Sequence, residues 1–278
     1  MKAIKAQKVK LKAKRTFMKK GTCSRTFFHI LNRENGYPME DEEHAIDPLA
    51  GGIAQQGFQC GMLWGASMGA GAEAFRRFES TDKAMEQTIV ATQVIMRSFE
   101  KTAKSIECAD IASCDWQNKI SFAKYMLSGK FLYCFKLAGK WAPDAIDAAN
   151  GGLSLALKSN TSTTLSCASE VIKKMGGNEQ QQILVSGFAG GLGLSGNGCG
   201  ALSAAIWMKT LARVKQGEYK YTTSDKELEK VLDTFYKETD YEMECHKICG
   251  KKFDSVEEHS EFVKNGGCDK LINVLVAS

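Results

Sequence analysis

The chain has 278 residues, 44% hydrophobic and 25% charged, a balance ordinary for a soluble globular protein with a sizeable core. Its net charge of +5 resides in the first twenty residues, where nine are Lys or Arg and none is acidic. The remainder is slightly acidic, which argues against a nucleic-acid footprint on the body.

Residues 1–20 read as a basic, solvated arm. They hold too few apolar residues for a signal-peptide core and no twin arginine, so the cytoplasm is the expected compartment. There, ten cysteines point to metal binding or catalysis rather than to structural disulfides. Cys23 follows Thr22 at the head of an amphipathic segment, and Cys60 follows a glycine-rich turn and heads an apolar helix ending at Arg76 and Arg77. Between Lys83 and Glu107, Met85, Ile89, Val90, Val94, Ile95 and Phe99 recur at helical spacing. Pro143 suits the first turn of a helix reaching about Lys158, and the polar stretch Lys158–Leu165 reads as a link. Cys167, after Ser166, opens another helix. The longest uncharged run, Gln180 to Met208, is long enough to consider as a membrane span, but "GGLGLSGNGCG" breaks it into two buried helices around a bend. Capped helices are expected over Asp225–Tyr236 and Ser255–Val263, and no stretch alternates as a strand would. The fold class expected is all-α.

The chain is also a tandem repeat. "GGIAQQGFQCG" (Gly51–Gly61) aligns with "GGLGLSGNGCG" (Gly190–Gly200). Four cysteines recur in the same order: Cys23 with Cys167, Cys60 with Cys199, Cys108 with Cys245 and Cys134 with Cys268, at offsets of 144, 139, 137 and 134. The organisation expected is an arm over 1–20, a first four-cysteine unit over 21–158 and a second over 159–278, packed face to face about a pseudo-twofold axis. Cys114 and Cys249 do not align and read as small buried hydrophobes.

A cysteine at a helix start is favoured as thiolate by the dipole and the free N–H groups. Gly61, Gly65 and Gly69 add a bare stripe, read as close approach of a second helix or as room for a bulky group beside Cys60. The order Cys, Cys-Gly-x-x-x-Gly, Cys, Cys resembles a family of redox-active proteins named for its pattern C-GCAxxG-C-C, most clearly in the second half with Cys167, "CGAL" (Cys199–Leu202), "ECHKICG" and "GGCDKLINVLVA". The family's last motif glycine is Ala204 here, and its alanine is Met62 in the first half. The resemblance implies redox activity and supplies no reaction.

Four clustered thiols suit an iron–sulfur cluster, a [2Fe–2S] rhomb in each repeat, held by Cys23, Cys60, Cys108 and Cys134 in one and by Cys167, Cys199, Cys245 and Cys268 in the other. Gly61 and Gly200 would let backbone N–H groups reach the inorganic sulfides. Such a protein transfers electrons to a redox partner protein of unidentified kind; a homodimer stays open, as does whether the protein is an enzyme. A thiol–disulfide oxidoreductase using the same cysteines is the second reading and a non-catalytic zinc protein the third, the chain having no C-x-x-C. It has no C-x-x-C-H either, so c-type haem is not expected, and "GNGCGA" lacks the preceding strand of a dinucleotide site. Of the histidines, His29 reads as a packing residue, His44 and His259 as exposed, and His246 as a neighbour able to support a ligand. Trp64 and Trp207 read as core.

Overall fold

The computed structural model describes residues 12–157, 163–222 and 224–278. They are helical with no strand: α1 over 12–20, α2 (Cys23–Glu34), α3 (Glu40–Ala45), a 3-10 turn (Asp47–Leu49), α4 (Gly61–Arg77), α5 (Thr81–Ala103), α6 (Cys108–Ala112), α7 (Lys119–Leu127) and α8 (Phe131–Leu153) in the first half. The second half repeats the order with α9 (Cys167–Lys174), α10 (Glu179–Ser186), α11 (Gly200–Lys215), α12 (Lys226–Glu238), α13 (Cys245–Ile248), α14 (Val256–Lys264) and α15 (Asp269–Ala277). No helix among the described residues is long and apolar enough to cross a membrane. The stretch Lys158–Leu165 expected to link the halves lies outside the described residues from 158 to 162.

The helix starts follow the capping residues. Thr22, Ser166, Asn178, Asp225 and Ser255 each accept a backbone N–H from the first turn of the helix they precede. α4 is buried nearly all round, which places it at the centre. Its glycine stripe faces α2: a β-carbon at Gly65 would meet the Ser24 carbonyl, and one at Gly69 would come 2.6 Å from Leu31. Of the two readings of the stripe, close helix approach holds for Gly65 and Gly69. On the other side of α4, Gly71 lies against the α10 backbone, with its would-be β-carbon 2.7 Å from the Ile183 and Leu184 carbonyls.

The halves pack by exchange. α10 of the second half lies on α4 and α5 of the first, and α3 with the 3-10 turn of the first half lies on α11 of the second. Trp64 meets Phe188 edge to face at 4.8 Å, and the Trp207 indole N–H donates to the Glu42 carbonyl at 3.2 Å. One apolar core therefore runs through both halves, with Trp64, Trp141 and Trp207 fully buried.

Three expectations are corrected. The first twenty residues do not form a free arm over 12–20: Ala13 and Phe17, one turn apart, are buried, and Phe17 lies 4.5 Å from the Phe135 ring. Two apolar residues at helical spacing suffice to dock a basic helix whose lysine stems can reach back to water. Pro143 does not begin a helix but sits inside α8. There Trp141 stacks on Phe27 at 4.7 Å and meets Phe99 at 4.6 Å, packing that holds the helix through the proline. His259 is buried, not exposed, with its Nδ1 3.3 Å from the Leu165 carbonyl, and burial pushes its pKa down to about 4.

Candidate thiol centres

The cysteines stand at helix starts. Cys23, Cys108, Cys167 and Cys245 are first residues of α2, α6, α9 and α13, and Cys60, Cys199 and Cys268 cap α4, α11 and α15; Cys134 lies in the first turn of α8. The pairing that brings them together is the same in both halves. The Cys108 N–H donates to the Phe58 carbonyl at 2.7 Å and the Ala109 N–H to Gly57 at 2.9 Å; in the second half Cys245 donates to Asn197 at 2.6 Å and His246 to Gly196 at 2.8 Å. Single antiparallel bridges, Gln59 with Glu107 and Gly198 with Glu244, complete each arrangement.

Ahead of each Cys-Gly pair runs a left-handed turn. Gly51, Gly52, Ile53, Ala54 and Gln55 have φ of 72°, 78°, 60°, 53° and 61°, and Gly190, Gly191, Leu192, Gly193 and Leu194 have 58°, 80°, 69°, 60° and 62°. For non-glycine residues this conformation costs roughly 1–2 kcal/mol each, so Ile53, Ala54 and Gln55 in the first turn and Leu192 and Leu194 in the second hold stored strain, while the glycines do not. The product of each turn is visible at the sulfurs. The first glycine of each turn, Gly51 or Gly190, aims its N–H at the cysteine that opens the first cysteine-headed helix of its half, Cys23 of α2 or Cys167 of α9.

In the first half Cys23 is the hub. A hydrogen bond from the Cys60 thiol, with the N–H groups of Gly51, Ser24 and Cys23, holds it below the usual thiol range against burial. The same bond, together with burial, holds Cys60 well above it. Burial raises Cys108, and the nearby Cys23 and Cys134 sulfurs add to the rise. Cys134, whose sulfur lies 3.6 Å from the Tyr125 hydroxyl, is pushed up to about 11 by burial. In the second half Cys167 is felt by Cys199, Cys245 and Cys268 alike. Burial lifts Cys167 to about 11 and Cys199 to about 12, against the N–H groups of Gly190 and Leu202 respectively. Each quartet of aligned cysteines is thus a set of neighbours, with Cys60, Cys108, Cys167, Cys199 and Cys245 all less than a tenth exposed.

Cys249 corrects the sequence reading, which left it outside. Its sulfur lies 3.9 Å from Cys245. Thiol hydrogen bonds from Cys245 and Cys268 push it down to about 4 and push those two donors up. The signal was present: Cys245 and Cys249 are four residues apart on one helical face. Cys114, packed with Ala112 and Tyr125, is no part of the aligned four, yet its sulfur is near enough to Cys108 to add to the rise of that thiol.

Gly61 and Gly200 differ. A β-carbon at Gly61 would stand 2.6 Å from Cys23 Sγ, whereas at Gly200 it would strike the Phe188 carbonyl. Gly61 makes room for a sulfur and Gly200 for a backbone. His246 does not turn to the thiols; its Nδ1 lies 2.7 Å from the Gly196 carbonyl. Among the described residues no group of three or more Cys, His, Asp or Glu side chains is drawn together around a point that could hold one metal ion.

A family model described as "Putative redox-active protein (C_GCAxxG_C_C)" matches the chain twice, over residues 22–143 and 162–277. Neither a curated protein nor a solved structure matches it.

Proposed function

The chain belongs to the C_GCAxxG_C_C family of redox-active proteins, in two tandem copies, and from that premise we propose that each copy holds an iron–sulfur cluster on its four aligned cysteines and that the protein carries electrons. One observation carries the reading: in each half, sulfurs from four separate helix starts are neighbours within the protein. The donor set fits the group, being thiols alone, with backbone N–H groups aimed at Cys23, Cys167 and Cys199. When bound, the cluster would supply a one-electron couple. Cys23, Cys60, Cys108 and Cys134 would ligate in the first copy, and Cys167, Cys199, Cys245 and Cys268 in the second. Because burial raises most of these thiols, they would shed protons only as metal arrives. The burial of five of the eight, Cys60, Cys108, Cys167, Cys199 and Cys245, also speaks for an electron carrier over a thiol–disulfide exchanger, since exchange needs a sulfur that a substrate disulfide can reach in line.

The 3.9 Å approach of Cys249 to Cys245 favours a second reading, a reversible dithiol in the second copy. Anaerobic purification followed by iron, zinc and acid-labile sulfide analysis separates them. The first reading expects coloured protein with iron and sulfide in equal amounts, halved by Cys60→Ser or by Cys199→Ser. Colourless, metal-free protein whose thiol titre falls and recovers with oxidant and reductant replaces it with the second, and stoichiometric zinc without sulfide overturns both.

A further inference from the structure

α7 is apolar on two faces. Phe122 and Tyr125 pack inward with Trp116 and Cys114, while Ile120, Ala123 and Leu127, at helical spacing on the other side, do not. Ile120 is 68% exposed and Leu127 89%. A tight turn over 128–130, in which the Gly129 N–H donates to the Met126 carbonyl at 3.3 Å and the Leu132 N–H to Gly129 at 2.9 Å, leads into α8, where Leu132 and Tyr133 are half-exposed. Met18 of α1 is 75% exposed, and α1 is seated beside this tip by the 4.5 Å contact of Phe17 with Phe135. Single exposed apolar side chains are ordinary, but six of the eleven large ones exposed among the described residues fall on α1, α7 and the first turn of α8. The charge on these elements has one sign. α1 carries Lys12, Lys14, Arg15, Lys19 and Lys20, and residues 116–143 carry Lys119, Lys124, Lys130, Lys136 and Lys140, with no acid in either stretch. Among the described residues only Lys20 of these ten is in an ion pair, with Glu43 at 3.5 Å. The acid that precedes α7, Asp115, is engaged by the Gln117 N–H at 3.1 Å.

We propose that this face docks the protein on an anionic lipid bilayer, with Met126, Leu127 and Leu132 entering the boundary between headgroups and acyl chains and the lysines resting among the lipid phosphates. Aliphatic side chains at a protruding tip, ringed by lysines whose stems can reach back to the headgroups, have the composition of an interfacial anchor. Protein interfaces are instead depleted in lysine and enriched in arginine and aromatic residues. A second copy is disfavoured, because an isologous contact would set the same cations against each other. No helix among the described residues is long and apolar enough to cross the membrane, so the contact is with one surface. Cys134 directly follows Tyr133, which stands the first thiol quartet just behind the docked face. The binding claim rests on this surface alone and does not depend on which group the thiols hold.

The test is co-sedimentation of the full chain with sucrose-loaded vesicles of phosphatidylcholine and phosphatidylglycerol, beside vesicles of phosphatidylcholine alone. Salt-sensitive pelleting with the mixed vesicles is expected, and far less with the neutral ones. Lys124→Gln with Lys130→Gln weakens it about ten- to thirtyfold, at roughly fivefold for each cation near an anionic surface. Leu127→Gln with Leu132→Gln weakens it about tenfold and leaves the melting temperature unchanged, since both side chains already face solvent. Leu127→Trp should emit at shorter wavelength when mixed vesicles are added and be quenched by brominated acyl chains, beyond any response of the parent. No pelleting with the mixed vesicles, or equal pelleting of the parent and the leucine variant, overturns the proposal. Without vesicle pelleting, retention of the parent but not of the lysine variant on immobilised polyglutamate would give the face to an acidic protein instead. A concentration-dependent dimer lost in the leucine variant, again without vesicle pelleting, would give it to a second copy.

Discussion

The Cys23 sulfur lies in the space that a side chain at residue 61 would need, so that a β-carbon there would stand 2.6 Å away. The glycine of the Cys-Gly pair is thus part of the first centre's geometry, and it touches the cysteine of another helix rather than its own neighbour. Gly61→Ala should displace Cys23 Sγ or lift the start of α4 away from Ala50, whose α-carbon is 2.9 Å from the same point. The fold should survive with a loss of about 1–3 kcal/mol, as for other overpacking changes. Whatever the first thiol quartet does should suffer far more than the second. Thiol-reactivity mapping by mass spectrometry checks this: labelling of Cys23 and Cys60 should accelerate while Cys167 and Cys199 stay protected. Equal acceleration in both halves would mean general unfolding instead.

How much of this was legible beforehand follows from what each residue answers to. Helix starts answer to local chemistry, so Thr22, Ser166, Asp225 and Ser255 announced them. The repeat was legible because eight cysteines keep their order, and the family match over both halves agrees. The left-handed turns were not: Ile53, Leu192 and Leu194 carry no preference for positive φ and are held there by the packing around them. Nor could pattern show that Pro143 lies within α8, where burial of Trp141 outweighs the cost of the ring, or that His259, among acids in sequence, turns inward. Cys249 was hidden by alignment itself, because a residue without a counterpart in the other half looks dispensable.

Gln59 shows how the pseudo-symmetry closes. Its side chain, fully buried, donates to the Gly191 carbonyl at 3.0 Å and accepts from the Gly198 N–H at 3.0 Å. Gly198 is its own counterpart in the repeat, so one member of the pair supplies the side chain and the other the space, with a would-be β-carbon only 2.5 Å from Gln59 Oε1. Gln59→Ala strands a backbone donor and acceptor and should cost about 2–4 kcal/mol. Gln59→Glu should cost at least as much, since a carboxylate would face the Gly191 carbonyl oxygen. Urea unfolding monitored by circular dichroism gives both values. A loss under ~0.5 kcal/mol would show that water replaces the amide and that the clamp contributes little.

The left-handed turn makes a prediction of the opposite sign. Ala54 holds a φ of 53° and is only partly buried, so its methyl gains little in packing. Ala54→Gly relieves the backbone and should stabilise by about 0.5–1 kcal/mol, net of the extra freedom that glycine has when unfolded. Ala54→Val, with a β-branch in the same conformation, should destabilise by more than that. Gly52→Ala, whose methyl would strike the Phe58 carbonyl, should be the most damaging of the three. Thermal melts rank them, and a neutral or destabilising glycine at 54 would show that the turn is not strained.

Asp47 gives the stability a pH dependence. It is 2% exposed, and burial pushes its carboxyl up to about 6 although the Thr22 hydroxyl, Arg25 and Lys20 all favour the charged form. The nearest guanidinium nitrogen, on Arg25, is 3.5 Å away and His44 Nε2 3.6 Å, so no close ion pair offsets the desolvation. A carboxyl that holds its proton more tightly when folded gives the native state the larger share of bound protons between about pH 3.8 and pH 6. Stability from this group is then greatest below that window and falls as pH rises through it. Asp47→Asn, which cannot ionise, should therefore gain on the parent by on the order of 2 kcal/mol between pH 4 and pH 7. Chemical denaturation of parent and variant at matched pH values, both carrying His44→Gln, isolates the term, because titrating groups not in contact with Asp47 cancel in the difference. If Thr22 and Arg25 governed instead, the carboxylate would be the favoured native form, and the variant would lose ground over the same range.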